Sequence, residues 1–271
     1  MLFRSLASGK VDINSENEDR RTPLSYAAGN GHKAVVKLLL ATGKVDIDSK
    51  NKDRQTPLSY AAKNGHEAVV ELLLATGKVD INSKGWNGAS LSYTAGNGDG
   101  WTPLSYAAAN GHKTVVKLLL ATGKVNIDSK SWYETYRGSI RERHGDGRTP
   151  LSYAAENGHE AVVELLLATG KVDINSKTEY RLYINSKAWN SRGRTPLSYA
   201  AENGHEAVVK LLLVTGKVDI NSKGKTYPWC DGQTPLSYAA EKGHKAVVEL
   251  LLTRGKVNIN LKDIHHWTQR S

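Results

Sequence analysis

The chain has 271 residues, with 37 Lys plus Arg against 27 Asp plus Glu, a net charge of +10 and one cysteine. A lone Cys230 rules out an intrachain disulfide framework and fits a reducing setting, cytoplasmic or nuclear. No apolar run approaches the ~20 residues that span a bilayer, Met1 to Asn14 lack the apolar core of a signal peptide, and the basic residues are dispersed rather than run together.

In chain order, Leu6-Ala7-Ser8-Gly9-Lys10-Val11-Asp12-Ile13 matches the end of a unit that then recurs whole. Its opening heptad, Thr-Pro-Leu-Ser-Tyr-Ala-Ala, starts at Thr22, Thr56, Thr102, Thr149, Thr195 and Thr234. Each copy continues through a Gly-His step and a Val-Val-x-Leu-Leu-Leu run to a Gly 21 residues after the Thr, as from Thr22 to Gly43. The starts are 34, 46, 47, 46 and 39 residues apart, so the length variation lies wholly between units. A fixed module with variable connectors marks a solenoid of stacked supersecondary units.

Within a unit, Thr22 is suited to cap a helix and Pro23 to occupy its first position, where a missing N–H does no harm. Leu24, Ala27 and Ala28 give that short helix a small apolar face, and Gly31 ends it. A second helix opens at His32 with Val35, Val36, Leu38, Leu39 and Leu40 expected inward, and Lys33 and Lys37 outward. Lys44-Val45-Asp46-Ile47-Asp48 alternates as an extended segment should. Two helices of about ten residues cannot bury their faces alone, so the copies must stack.

The pattern Asp-Gly-x-Thr-Pro-Leu-x-x-Ala-Ala-x-x-Gly-His-x-x-Val-Val-x-Leu-Leu-Leu resembles the ankyrin repeat, over about residues 10–262. The chain departs from the usual Thr-Pro-Leu-His by carrying Ser25, Ser59, Ser105, Ser152, Ser198 and Ser237 in place of His. Its Ser-Tyr-Ala-Ala and Thr-Gly-Lys-Val-Asp wording is similar to that of ankyrin proteins of filamentous fungi, where such arrays often form the tail of large nucleotide-binding receptors. The resemblance implies an all-α solenoid of stacked helix-turn-helix repeats with β-hairpin-like finger loops, three or four of them extended. It implies a non-enzymatic protein-binding module and no particular ligand. The expected layout is a partial repeat over 1–21, six repeats over 22–262 and a short tail over 263–271. Neither end carries polar capping substitutions, which fits a piece of a longer array.

All six tryptophans lie outside the repeated helices: Trp86, Trp101, Trp132, Trp189 and Trp229 in connectors, and Trp267 in the tail. Two readings of the long connectors stand. One is slippage: Ala89 to Gly98 resembles a decayed first helix, and Ile174-Asn175-Ser176-Lys177 recurs as Ile184-Asn185-Ser186-Lys187. The other is a partner-facing patch of aromatics interleaved with arginine, centred on Trp101, Trp132, Arg148 and Trp189 with Tyr133 and Trp229 alongside, since Trp and Tyr are enriched in interface hot spots.

Comparison of the repeats with one another adds two variable positions. The residue before Thr-Pro reads Arg21, Gln55, Trp101, Arg148, Arg194 and Gln233; the residue after Ala-Ala reads Gly29, Lys63, Ala109, Glu156, Glu202 and Glu241. Variation in an otherwise repeated frame is what a scaffold presenting a changeable surface produces, and duplication followed by drift produces it as well. The expected partner is a protein with an acidic surface. Nucleic-acid binding, favoured by the +10 charge, is opposed by Glu156, Glu202 and Glu241 and by the lack of any base-reading motif.

The remaining polar residues point away from catalysis. His32, His66, His112, His159, His205 and His244 occupy one equivalent place per repeat. They cannot converge on a metal, and are expected to bond neighbouring backbone at a helix start. No zinc-protease, phosphate-loop or nucleophile-elbow pattern occurs, so no cofactor, metal or enzyme activity is expected. On the outer face of the second helices, Lys33/Lys37, Glu67/Glu71 and Lys113/Lys117 alternate in sign from repeat to repeat, which predicts cross-repeat charge pairing worth ~0–1 kcal/mol each.

Overall fold

The computed structural model describes residues 12–86, 100–131, 133–137, 140–178, 193–226 and 230–254. The chain divides into two compact units, Met1–Asn126 and Ile127–Ser271. Within the described residues of the first unit lie three helix pairs: α1 (Pro23–Gly29) with α2 (Lys33–Ala41), α3 (Pro57–Lys63) with α4 (Glu67–Ala75), and α5 (Pro103–Ala109) with α6 (Lys113–Ala121). The second unit has α7 (Pro150–Glu156) with α8 (Glu160–Ala168), α9 (Pro196–Glu202) with α10 (Glu206–Val214), and α11 (Pro235–Glu241) with α12 (Lys245–Arg254). In each unit first helices pack on first helices and second on second, α1 on α3 on α5 and α7 on α9 on α11 among them. Each unit is therefore an all-α stack of helix pairs.

Local chemistry starts every first helix in the same way. Thr22, Thr56, Thr102, Thr149, Thr195 and Thr234 sit in extended backbone, and the side chain of each accepts the backbone N–H three residues on. The Ser found in place of His joins this cap: Thr22 Oγ1 lies 3.1 Å from Ser25 Oγ and 2.9 Å from Ser49 Oγ of the following connector. The hydroxyls are buried and bond one another, so a short Ser replaces the larger ring without leaving a gap in the cap.

The second helices bury less of their apolar run than its composition suggests. In α4 only Val69, Val70 and Leu73 are buried, and in α2 only Val36, with Val35 46% exposed. In five of the six Leu-Leu-Leu triplets the middle residue goes fully inside: Leu73, Leu119, Leu166, Leu212 and Leu251 are 0% exposed, while Leu39 of the first triplet is half-buried. A period of 3.6 cannot aim three consecutive residues at one core. The cross-repeat charge pairing expected on this outer face is not formed. Among the described residues its ion pairs are within one helix, Glu206–Lys210 and Lys245–Glu249. Exposed side chains keep their water and their rotamer freedom instead of reaching across to the next helix.

The histidines behave as expected and reach further. His66 Nε2 lies 2.9 Å from the Gly29 carbonyl, one repeat back; His112 bonds Lys63 O, His205 bonds Glu156 O and His244 bonds Glu202 O in the same way. Each ring rests over a glycine of the preceding repeat. A Cβ added at Gly31 would stand 2.6 Å from His66 Nδ1, and Gly31 has φ +72° besides. The Gly of one repeat and the His of the next are thus one joint.

Connectors of unequal length share one base. The N–H of Asn17 donates to Arg21 O, Asn51 to Gln55 O, Ser131 to Arg148 O, Thr178 to Arg194 O and Gly224 to Gln233 O. Above that base the connectors differ. β1 (Gly85–Trp86) pairs with β2 (Gly100–Trp101), and β5 (Lys225–Thr226) with β6 (Cys230–Asp231). β3 (Tyr133–Arg137) and β4 (Ile140–His144) form the longest ladder, antiparallel with Arg137 opposite Ile140. In the two short connectors a non-glycine residue takes the left-handed conformation two places before Thr: Arg20 at φ 61° and Arg54 at φ 59°, where Gly147 and Gly193 stand in the long ones.

A second ladder joins successive connectors below the helices. Asn14 Oδ1 accepts from Asp46 N and its Nδ2 donates to Lys44 O; Asn82 and Asn175 repeat both bonds one step along. Asp48 and Asp128 occupy the same place, and accept from Asp80 N and Asp173 N with no amide to donate. Burial pushes both carboxyls above the usual range despite those hydrogen bonds, and Asp80 and Asp173 add repulsion.

Two expectations follow for stability. Arg54→Gly relieves a left-handed arginine and raises stability by ~1 kcal/mol, less the extra chain entropy of glycine; an unchanged or lowered urea midpoint contradicts it. Asp48→Asn supplies the missing donor and removes a charge, for a gain of about 0.5–1 kcal/mol at pH 7. A raised carboxyl pKa means that the folded chain holds the proton more tightly than the unfolded one, so the parent gains stability as pH falls through it. The advantage of Asp48→Asn therefore shrinks between pH 7 and pH 4, which urea titrations at the two values read directly.

Candidate functional site

The two variable positions are neighbours. Eight residues separate them in sequence, one at the end of the connector and one at the end of the first helix, and the helix brings their side chains together. Arg148 Nη1 pairs with Glu156 Oε2, Arg194 Nη2 with Glu202 Oε2, and Gln233 Nε2 donates to Glu241 Oε2. Arg148 also holds Asp146, Nε to Oδ2 at 2.9 Å, and donates to the Tyr199 hydroxyl at 3.1 Å.

The tyrosine of each Ser-Tyr-Ala-Ala completes this arrangement. The Arg148 guanidinium lies 5.7 Å from the Tyr153 ring centre and 4.5 Å from that of Tyr199; Arg194 lies 4.7 Å from Tyr199 and 4.2 Å from Tyr238. In the second unit, arginine and tyrosine therefore alternate along the first-helix face. In the first unit Arg21 is held between Tyr26 and Tyr60, at 4.0 and 4.5 Å. Gln55 donates to the Tyr106 hydroxyl at 2.8 Å, Trp101 packs on the Tyr106 ring at 5.1 Å, and Lys63 Nζ lies 5.8 Å from the same ring. A cation over an aromatic face contributes ~0.5–2 kcal/mol, more as water is excluded.

Electrostatics follow from this burial. Desolvation lifts Glu156 above the usual carboxylate range, and Arg148 only partly offsets it. Burial alone would pull the Arg148 guanidinium down; Tyr199, Asp146, Glu156 and Tyr153 together hold it above its ordinary value. The Tyr60, Tyr199 and Tyr238 hydroxyls are pushed up, in each case first by burial.

Of the residues read as partner-facing, Gln55, Trp101 and Arg194 are at most 8% exposed and fill the stack. Arg21, Lys63, Arg148, Glu156 and Glu202 are half-buried along its rim. Tyr133 contributes its backbone to β3. Trp132, Trp189 and Trp229 lie outside the described residues, as does the decayed repeat from Ala89 to Gly98; of the expected patch centre, Trp101 and Arg148 are described. The repeated tyrosines were missed because they do not vary, yet Tyr26 is 39% exposed and borders Arg21. A signal was available: read eight apart, the varying residues go together as Arg with Glu twice, Gln with Glu, Gln with Lys, Trp with Ala and Arg with Gly. Among the described residues no group of His, Cys, Asp and Glu is placed to hold a metal ion, and no helix is long and apolar enough to cross a membrane.

A stack of helix pairs built in this way matches a known family. The family model described as Ankyrin repeats (3 copies) matches residues 2–85, 87–178 and 179–263, nearly the whole sequence. The chain belongs to the ankyrin-repeat family. A crystal structure of the human ASB11 ankyrin repeat domain is similar with a TM-score of 0.65 at 23% identity, over 94% of this chain and 92% of that one, a likeness of fold. A search of curated proteins returns no match. Ankyrin repeats are generally protein–protein interaction modules and typically not enzymes.

Replacing Arg148 by Ala removes a guanidinium from between two rings and leaves Asp146 and Glu156 facing each other. A loss of ~2–4 kcal/mol is expected, against about 1 kcal/mol for Glu156→Gln, which keeps a hydrogen-bond acceptor. Equal losses in urea titration would show that the pair, and not the arginine stack, holds this face.

Proposed function

We propose that this protein is a non-catalytic scaffold that binds a protein partner along the first-helix face and the connector tips. The observation that carries the reading is the adjacency of the two variable positions on that face, within a frame whose other residues are repeated. The part-exposed candidates are Arg21 and Lys63 with Tyr26 in the first unit, and Arg148, Glu156 and Glu202 in the second. Trp132, Tyr133, Trp189 and Trp229 extend the proposal into the connectors. The +10 charge and the in-chain neutralisation of Arg148 and Arg194 favour a partner with an acidic surface for the first unit. The single cysteine suits work inside a cell, in cytoplasm or nucleus.

A photo-crosslinking amino acid placed at position 26 or 63 is expected to trap partner protein, while the same group at position 37 or 117, on the outer helices, traps none. Adducts confined to 37 and 117 would refute the assignment. Trp132→Ala with Trp189→Ala, checked to melt like the parent, is expected to weaken capture if the connectors take part.

A further inference from the structure

Arg21, Arg148 and Arg194 occupy one equivalent place, and each guanidinium lies over the tyrosine ring of the repeat that follows, Tyr60, Tyr199 and Tyr238. At Arg148 and Arg194 a glutamate eight residues on closes the site with its carboxylate. At Arg21 that residue is Gly29. A Cβ built on Gly29 would stand 3.5 Å from Arg21 Nη2 and 3.5 Å from Tyr60 Cβ, in ordinary contact, so a side chain at this buried position would lie beside the guanidinium, as Glu156 lies beside Arg148. Among the described residues Arg21 makes ring contacts with Tyr26 and Tyr60 and no ion pair, and its Nε is buried without a hydrogen-bond partner there. Asp19 and Asp53 act electrostatically on Tyr60, yet neither pairs with Arg21. The Gly29 carbonyl is already taken by Asn64 Nδ2 at 2.7 Å and His66 Nε2 at 2.9 Å, so it does not compete for the arginine.

We propose that the notch formed by Arg21, Gly29, Tyr26 and Tyr60 is a carboxylate subsite that receives an Asp or Glu side chain of a partner protein in the place of the missing in-chain glutamate. The inference rests on the first-helix face being the partner-binding surface. The two rings fix the guanidinium in one plane, so a carboxylate meets a preorganised fork. Lys63 stands at the position equivalent to Gly29 in the next repeat and adds a positive charge where the second unit has glutamates. The occupant is a protein segment because the subsite lies on the first-helix face proposed as the partner-binding surface, beside Tyr26, which is 39% exposed.

The experiment uses the full chain and an array of fluorescein-labelled, end-blocked peptides in matched pairs that differ only by Glu against Gln. Peptides with Glu are expected to bind, and their Gln counterparts to bind at least about tenfold more weakly. Gly29→Glu copies the fourth and fifth repeats. It is expected to raise the melting temperature and to abolish the preference for Glu; Arg21→Gln is expected to abolish the preference without the rise. A Gly29→Glu protein that still prefers Glu peptides overturns the subsite, as does a parent that binds none of them. Glu and Gln peptides that bind alike and crosslink at positions 26 and 63 overturn the subsite and leave the first-helix face standing. Peptides that bind without crosslinking there remove both.

Discussion

Four of the repeats depend on a joint that they do not own. The first helix ends in a carbonyl with no partner in its own helix, and the histidine that satisfies it belongs to the next repeat. That ring fits only because the preceding glycine has no Cβ to meet it and can hold φ near +70°. A helix of seven residues is too short to persist alone in water. Its capping, its carbonyls and its apolar face are all completed by neighbours, so the stack forms as a stack within each unit.

With that joint constant, the chain can vary what stands beside it. The connector base is the same hydrogen bond whether the loop is short, as at Asn51 to Gln55, or carries a five-residue ladder, as at Ser131 to Arg148. Insertions therefore leave the helices in register. Where the residue that ends the connector is an arginine it lies over two tyrosine rings, and the residue that ends the first helix stands near enough to answer its charge, as Glu156 and Glu202 do. Variation at the two places is coupled through that contact, which accounts for Arg with Glu in the second unit without appeal to a partner. Arg with Gly in the first unit is the exception that leaves a recognition function open on the face.

The electrostatics of the molecule are correspondingly local. The alternating lysines and glutamates on the outer helices remain solvated, and the charges that matter to packing lie on the inner rim, where Arg148 meets Asp146, Glu156 and Tyr199. Where an acid enters the connector ladder, as Asp48 and Asp128 do, partial burial and the next repeat's aspartate raise its pKa despite Lys50 and Lys130 nearby. An amide can donate and accept at once, and a carboxylate cannot.

The sequence by itself determined the repeat, its helix starts at Thr-Pro, the glycine at the end of each first helix and the role of the histidines, because capping, left-handed backbone and helical period act over a few residues. It also showed which positions vary. Only the tertiary structure decided that the two variable positions touch, that Trp101, Gln55 and Arg194 are buried rather than presented, and that the middle leucine is fully buried in five of the six triplets. Those outcomes rest on contacts between side chains eight residues apart around a helix end, or a whole repeat apart across the stack. The direction of a side chain at the end of a loop is set by the neighbouring repeat it meets, and no local propensity encodes it.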